Sequence, residues 1–158
     1  FRKYIKICYT KAMKNNTRVR VIGDKTGLAK DLQESIRTLE TDTAKNTGLQ
    51  FQIAINYGSR DEMLRGMRQM MQDYKEGKIT LEEVDEAHFS DYLDTAGIPD
   101  PDLMIRTSGE QRLSNYLLWQ LAYAEFYFTP VAWPDFHGEE LRKAVEAYEN
   151  RDRRYGKV

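Results

Sequence analysis

Residues 102–134 read DLMIRTSGEQRLSNYLLWQLAYAEFYFTPVAWP, and this stretch decides the fold. It begins with the apolar run 103–105, which predicts a short strand buried on both faces of a parallel sheet. The strand ends abruptly in a polar loop, RTSGEQRLSN, at residues 106–115. In open α/β sheets, ligands bind outside the carboxyl ends of the strands. The sequence therefore predicts a binding site in this loop.

The side chains of the loop suit an anion. Arg106 and Arg112 carry planar forks of donors that match phosphate oxygens two at a time, and three neighbouring hydroxyls with free backbone amides add donors. In the alternative, the two arginines form ion pairs with Glu110, Asp102 or other carboxylates and only hold the loop. Those two carboxylates do not explain the hydroxyls and the glycine beside them, so the residues favour a phosphate or diphosphate ligand.

The rest of the chain predicts an α/β fold. Runs 18–23 and 49–56 have the patterns of strands, and helical spacing of apolar residues predicts helices before, between and after them. Strands that alternate with helices predict one parallel sheet with right-handed crossovers and helices on both faces, in a single domain over residues 1–158. The polar ends of the strands are then expected on one rim, at Gly23-Asp24, Asn56-Tyr57-Gly58 and Arg106-Thr107-Ser108.

Two further patterns concern the helices. Ser59 with Glu62, and Thr80 with Glu83, have the spacing of capping boxes and predict two helix starts. Asn56 and Arg60, beside the first of these, either contribute to the site or belong to a simple strand-to-helix turn. A stripe of side chains on the following helix suits core packing more than an adaptable binding surface; its members are Met63, Met67, Met70, Met71 and Tyr74.

Glu125 lies between Ala124 and the aromatic run 126–128. Burying an unpaired carboxylate costs on the order of several kcal/mol, so a partner is expected. That partner is either an arginine or a hard divalent cation, which prefers oxygen ligands. These residues alone leave both alternatives open.

Composition limits the function classes. The chain has 24 basic and 25 acidic residues, without the basic field of a nucleic-acid-binding protein. Its one cysteine, Cys8, excludes a disulfide framework and a cysteine-based zinc site. Neither a signal peptide nor an apolar run of about 20 residues is present, so a cytoplasmic location is expected. Because Phe1 opens on a helix already in progress, we expect the carboxy-terminal part of a longer protein.

The order of the motifs closely resembles the cis-prenyltransferases, the undecaprenyl diphosphate synthase family. The resemblance is carried by DLMIRTSGEQRLSN, LLWQLAYAEFYF and WPDF, and extends from RVRVIGD through NYGSR to RRYG. It implies condensation of isopentenyl diphosphate with an allylic diphosphate such as farnesyl diphosphate. The product would be a long-chain polyprenyl diphosphate such as undecaprenyl diphosphate, the lipid carrier for cell-wall synthesis. It also implies a homodimer with peripheral membrane contact through the lipid product.

The resemblance also implies roles for particular residues. Glu125 matches the carboxylate that binds Mg²⁺ in the family, and Gln111 stands where some relatives have His, so no proton role is expected there. Arg154-Tyr155-Gly156 matches a terminal Arg-x-Gly that reaches a diphosphate across the dimer interface. The residues expected to bind substrate are Arg106, Glu110, Arg112, Leu113, Ser114, Arg154 and Gly156.

One departure from the family pattern is large. The amino-terminal loop with its catalytic Asp is not matched, so no catalytic residue is expected within these residues and the chain alone is expected to be inactive. One alternative is a catalytically silent partner subunit of a prenyltransferase complex, which would not need the loop at residues 106–115. The other is an unrelated phosphate-binding α/β domain, but neither GxGxxG nor GxxxxGK[ST] is present.

Overall fold

The computed structural model describes residues 2–151 and divides the chain into two compact units, Phe1–Gly97 and Ile98–Val158. The first unit contains α1 (Arg2–Lys14), β1 (Arg18–Ile22), α2 (Lys30–Thr43), β2 (Gln50–Ala54), α3 (Ser59–Lys75), a 3₁₀ turn (Leu81–Glu83) and α4 (Glu86–Ser90). The second unit contains β3 (Leu103–Arg106), β4 (Glu125–Phe128), a 3₁₀ turn (Trp133–Asp135) and α5 (Gly138–Glu149).

All strand pairing among residues 2–151 is parallel, as predicted for an α/β protein. β1 pairs with β2, and β3 pairs with β4, so that Leu103 lies opposite Glu125 and Arg106 opposite Phe128. The sequence predicted one sheet, whereas the hydrogen bonds form two pairs. It also missed β4, because a four-residue strand in an aromatic run shows no alternation that separates it from a helix. That the whole chain is a single domain stays a prediction.

The core of the first unit comes from three successive elements. Apolar side chains at helical spacing on α1 and α2 meet those that β1 turns to the same side, and together they bury Ile5, Ala12, Val19, Val21, Ile36 and Leu39. Thr43 closes the contact between α2 and β1, because its hydroxyl accepts from the Val19 amide at 3.0 Å and donates to the Leu39 carbonyl at 2.7 Å. Local patterns therefore position β1 as predicted.

α3 departs from two predictions. The helix begins at Ser59 itself, with no side-chain cap at Gly58, so the capping box predicted at Ser59 is wrong; the one at Thr80 is confirmed. Met67, Met71 and Tyr74 are exposed, so the core role predicted for them is wrong. The reason is that α3 turns a narrow stripe inward, namely Ser59, Glu62, Gly66 and Met70.

Candidate functional site

The loop that follows β3 is closed at its base by backbone hydrogen bonds. The amides of Ser108 and Gly109 donate to the carbonyls of Val131 and Thr129, at 2.8 and 2.9 Å. Across the loop, the Arg106 guanidinium donates to the carbonyl of Arg112. Arg106 therefore fixes the backbone on which the second predicted anion-binding arginine stands.

The backbone of this loop is unusual. Three residues of the loop that are not glycine have left-handed φ angles, namely Ser108 (65°), Ser114 (51°) and Asn115 (61°), and so has Leu117 (44°), two residues after the loop. Such conformations cost on the order of 1–3 kcal/mol each and cluster at functional sites. Turns that mix left- and right-handed residues also direct successive amides into concavities that bind anions. The geometry agrees with a preorganised anion loop.

The charges of the loop agree in part with the alternative, in which the arginines form ion pairs and only hold the loop. Arg112 forms an ion pair with Glu110, and both side chains are exposed. Arg106 forms no salt bridge with a carboxylate of residues 2–151, and its described side-chain bond goes to a carbonyl. An exposed pair contributes only about 0–1 kcal/mol, so a doubly charged phosphate can replace Glu110 at Arg112. Ser114 is exposed and Leu113 half-buried beside this pair.

Glu125 begins β4, and its amide donates to the Asp102 carbonyl at 2.9 Å. Its carboxylate pairs with Arg151, so the expectation of a partner is confirmed. The register places Glu125 beside Leu103, at the opposite end of β3 from Arg106, which is about 10 Å along the strand. The structure therefore brings Arg106, Glu110 and Arg112 together and leaves Glu125 apart from them.

The donor set around Glu125 limits what metal it could hold. No group of three or more His, Cys, Asp or Glu side chains suited to a metal ion occurs within residues 2–151. Mg²⁺ keeps several waters and is often held by one or two carboxylates with substrate phosphates. Glu125, one third exposed, fits as a single hard oxygen ligand for such an ion.

At the carboxyl ends of β1 and β2, Gly23 is held by close backbone contact. Its φ is +105°, and a Cβ there would lie 2.2 Å from the Ile55 carbonyl oxygen. The side chain of Asn56 donates to the carbonyl of Asp24 at 3.0 Å, which supports its reading as a turn residue. The Thr26 hydroxyl and amide both donate to the Asp24 carboxylate and lower its pKa.

A polar network that the sequence did not reveal supports this rim. Glu62 is 1% exposed and accepts from the Tyr57 hydroxyl and, at 2.9 Å, from the Asp94 amide. Burial, together with the hydrogen bond to Glu62, raises the pKa of Tyr57. Asp94 accepts from Arg65 through both carboxylate oxygens, at 3.0 and 2.9 Å, and from the Gly23 amide at 2.8 Å. No local spacing links these residues, so no sequence signal could have found the network.

An apolar cavity of about 550 Å³ lies between α1 and the β1–β2 pair. Its wall includes Ile7 and Cys8 from α1 with Leu49, Phe51 and Ile53 from β2 and the residue before it. Burial raises the pKa of Cys8, which disfavours the reactive thiolate form. Periodicity marked these side chains as apolar faces, but the space between them depends on how the elements pack.

Two site predictions, Arg154 and Gly156, lie outside the described residues. Within residues 2–151, no helix has both the length and the apolar character needed to cross a bilayer.

Parallel strand pairs with helices, and an arginine-bearing loop at the carboxyl end of β3, define the class: an α/β protein with a polar loop at a strand end. A family model described as "Putative undecaprenyl diphosphate synthase" matches residues 1–156. Isoprenyl transferases of Clostridium perfringens and Agrobacterium fabrum are 49% and 50% identical over 144 and 143 residues. These matches cover 91% and 90% of this chain, and 57% and 58% of the two relatives.

Two solved structures of diphosphate synthases are also similar to this chain. Lavandulyl diphosphate synthase from Lavandula x intermedia, in complex with dimethylallyl diphosphate, superposes with a TM-score of 0.92 over 98% of this chain and 67% of its own. A probable undecaprenyl diphosphate synthase from Campylobacter jejuni gives 0.85 over 98% and 70%. Both are 35% identical to this chain. The chain belongs to the undecaprenyl diphosphate synthase family of prenyltransferases, and it spans a little over half the length of the curated relatives it matches.

Proposed function

We propose that this chain is part of a cis-prenyltransferase and that its loop at residues 106–115 holds isopentenyl diphosphate. The observation that carries this proposal is the loop itself: Arg106 closes it through the Arg112 carbonyl and presents Arg112 at its surface. Left-handed residues within the same ten positions give the backbone a fixed shape. Membership of the family indicates the reaction, and the loop provides hydrogen-bond donors for a diphosphate.

In the proposed reaction, the loop residues bind and orient a substrate. In the condensation, the double bond of isopentenyl diphosphate attacks C1 of the allylic diphosphate, the bond from C1 to the leaving diphosphate breaks, and a proton is lost from the new chain. Arg106 and Arg112 orient the attacking molecule through charged hydrogen bonds to its diphosphate. Arg112 exchanges Glu110 for phosphate oxygens as the ligand enters. Gln111 can donate and accept hydrogen bonds but cannot supply the proton step.

Glu125 is the described residue that would hold magnesium, as one oxygen ligand. When bound, Mg²⁺ neutralises charge that develops on diphosphate oxygens. In this chain, Oε2 of Glu125 accepts from the Arg151 guanidinium, so a cation at Glu125 would displace that arginine or share the carboxylate with it.

The cavity of the first unit is suited to the hydrocarbon part of an allylic substrate. Its volume of about 550 Å³ lies in the range of ligand pockets, and its wall is dominated by apolar side chains. The Lavandula relative is described with dimethylallyl diphosphate, an allylic diphosphate. We assign the growing prenyl chain to this cavity, with farnesyl diphosphate as the primer and a long-chain product such as undecaprenyl diphosphate for cell-wall synthesis. The lipid product would bring the protein into peripheral contact with a membrane.

The protein is further proposed to be a symmetric homodimer. Aromatic side chains are enriched at interfaces, and in the second unit Tyr123 and Trp133 are 95% and 72% exposed. A two-fold axis would place the same patch on both subunits. By the family resemblance, Arg154 and Gly156 of one subunit then contribute to the diphosphate site of the other.

Calorimetric titration of the chain with isopentenyl diphosphate tests the assignment of the loop. Lysine at position 106 or 112 keeps the charge but loses the planar fork. We expect Arg106→Lys and Arg112→Lys each to weaken binding by about tenfold or more, with unchanged circular dichroism. Arg142→Lys is the matched control, because within residues 2–151 the ion pairs of Arg142 are with Glu139 and Glu146 on its own helix, α5.

Unaltered affinity in both loop variants would contradict the assignment and favour arginines that only hold the loop. The silent-subunit alternative is disfavoured because the loop keeps its arginines, its hydroxyls and its closed geometry. Membership of the prenyltransferase family removes the unrelated phosphate-binding domain from consideration.

A further inference from the structure

Arg151 binds the start of β4 at two points. One arm of its guanidinium pairs with Oε2 of Glu125, and the other donates to the Phe126 carbonyl at 2.9 Å. Arg151 follows the end of α5 by two residues. The side chains of Arg151 and Glu125 are 43% and 33% exposed, so the pair is open to solvent on one side.

This arrangement places a permanent positive charge on the carboxylate that would receive a cation. Arginine stays charged throughout the working pH range. A divalent cation and a guanidinium cannot both lie against Oε2, because like charges at about 4 Å repel strongly at the effective dielectric constant of a protein surface. The Phe126 carbonyl is a second acceptor for the guanidinium beside Glu125 and helps to keep Arg151 in place.

We infer that Arg151 is an internal competitor for the divalent cation at Glu125. Without a cation, Arg151 neutralises the half-buried carboxylate and so avoids an unpaired charge. A cation at Glu125 either displaces Arg151 from Oε2 or shares the carboxylate with it against their repulsion, so the affinity at Glu125 is lower than the carboxylate alone would give. The inference rests on the proposed function, since it concerns the cation that the proposed reaction uses. It adds to that function a residue that sets the cation affinity.

The inference predicts the direction of change in three variants. Arg151→Gln removes the competing charge and should tighten cation binding at Glu125 by about two- to fivefold, the range that a half-exposed ion pair supports. Arg151→Lys keeps the charge and should stay closer to the unaltered protein. Glu125→Gln should abolish binding at this position.

Mn²⁺ titration followed by nuclear magnetic resonance provides the measurement. Mn²⁺ shares the preference of Mg²⁺ for carboxylate and water ligands, and its unpaired electrons broaden nearby amide resonances. Broadening of the amides of residues 125 and 126 in the 158-residue chain, with no diphosphate added, gives a dissociation constant, and its loss in Glu125→Gln assigns that constant to this position. The same spectra report whether each variant is folded. Arg142→Gln is the control, because it removes an equal charge from α5 and leaves Arg151 in place.

Tighter Mn²⁺ binding in Arg151→Gln, with Arg142→Gln unchanged, supports the inference. Equal or weaker binding in Arg151→Gln overturns it, as does broadening that persists in Glu125→Gln or is absent from every variant. Failure here is distinct from failure of the proposed function. If isopentenyl diphosphate binds and depends on Arg106, the loop assignment stands whatever Mn²⁺ does; if it does not bind, the proposed function itself fails.

Discussion

Replacing Arg65 with leucine tests the network beneath the rim of the first unit. Arg65 donates to both oxygens of Asp94, at 3.0 and 2.9 Å, and the Asp94 side chain is 20% exposed. Leucine keeps much of the aliphatic packing but has no hydrogen-bond donor in its side chain. Hydrogen bonds to charged groups contribute about 1.5–3 kcal/mol. Arg65 is partly exposed and the Gly23 amide still binds Asp94, so we expect a loss of about 2 kcal/mol at pH 7.

The loss of stability in Arg65→Leu should depend on pH. Burial raises the pKa of Asp94, but the hydrogen bonds from Arg65 and Gly23 outweigh it and hold the pKa below its ordinary value. A lowered pKa in the folded state contributes stability above the unfolded pKa, about 3.9, and that contribution is lost as the pH falls through the folded value. Without Arg65 the folded pKa of Asp94 rises. The deficit of Arg65→Leu should therefore be largest at neutral pH and shrink as the pH falls and Asp94 takes up a proton.

Urea unfolding, followed by far-ultraviolet circular dichroism at neutral pH and at about pH 3, measures both quantities. The signal reports mainly the first unit, which contains α1, α2 and α3. The control is Arg37→Leu, which breaks an exposed pair with Glu34 and should cost no more than about 0.5 kcal/mol. An Arg65→Leu deficit of the same size at both pH values would refute the reasoning, because it would mean that packing and not charge is lost.

Gly23→Ala should destabilise the first unit by about 2 kcal/mol or more in the same assay, because φ is +105° and the new Cβ would meet the Ile55 carbonyl; a loss near zero would show that the backbone yields. The 158-residue chain, given radiolabelled isopentenyl diphosphate, farnesyl diphosphate and Mg²⁺, should form no lipid-extractable product, since the Asp-bearing loop is unmatched; turnover would contradict this. Sedimentation equilibrium should give twice the chain mass, and a monomer at high concentration would contradict the homodimer.

Most of the fold could be predicted because its signals are local. β1, β2 and the long helices follow from the spacing of apolar residues within each segment. The failures arise where neighbours distant in sequence decide the outcome. Gly66 lets α3 approach Tyr92 closely, since a Cβ there would lie 3.0 Å from its carbonyl oxygen, and this contact leaves Met67 and Met71 outside.

The candidate site could likewise be predicted only where its features depend on local sequence. Residue types alone identified the loop at residues 106–115 and the need of Glu125 for a partner. They could not show that Arg106 closes the loop, nor that Arg151 is the partner of Glu125, because those contacts depend on the path of the backbone. The link between Arg65 and Asp94 spans 29 residues and carries no motif.

The most direct test of the account is to follow the backbone amide resonances of the chain as isopentenyl diphosphate is added. We predict that the largest shift changes fall within residues 106–115, and that they are much reduced in Arg112→Lys. The amide of Gly109, bonded to Thr129 at the base of the loop, should shift with them. Shifts that concentrate elsewhere, or saturable binding that leaves the loop unchanged, would contradict the claim that this loop holds the substrate.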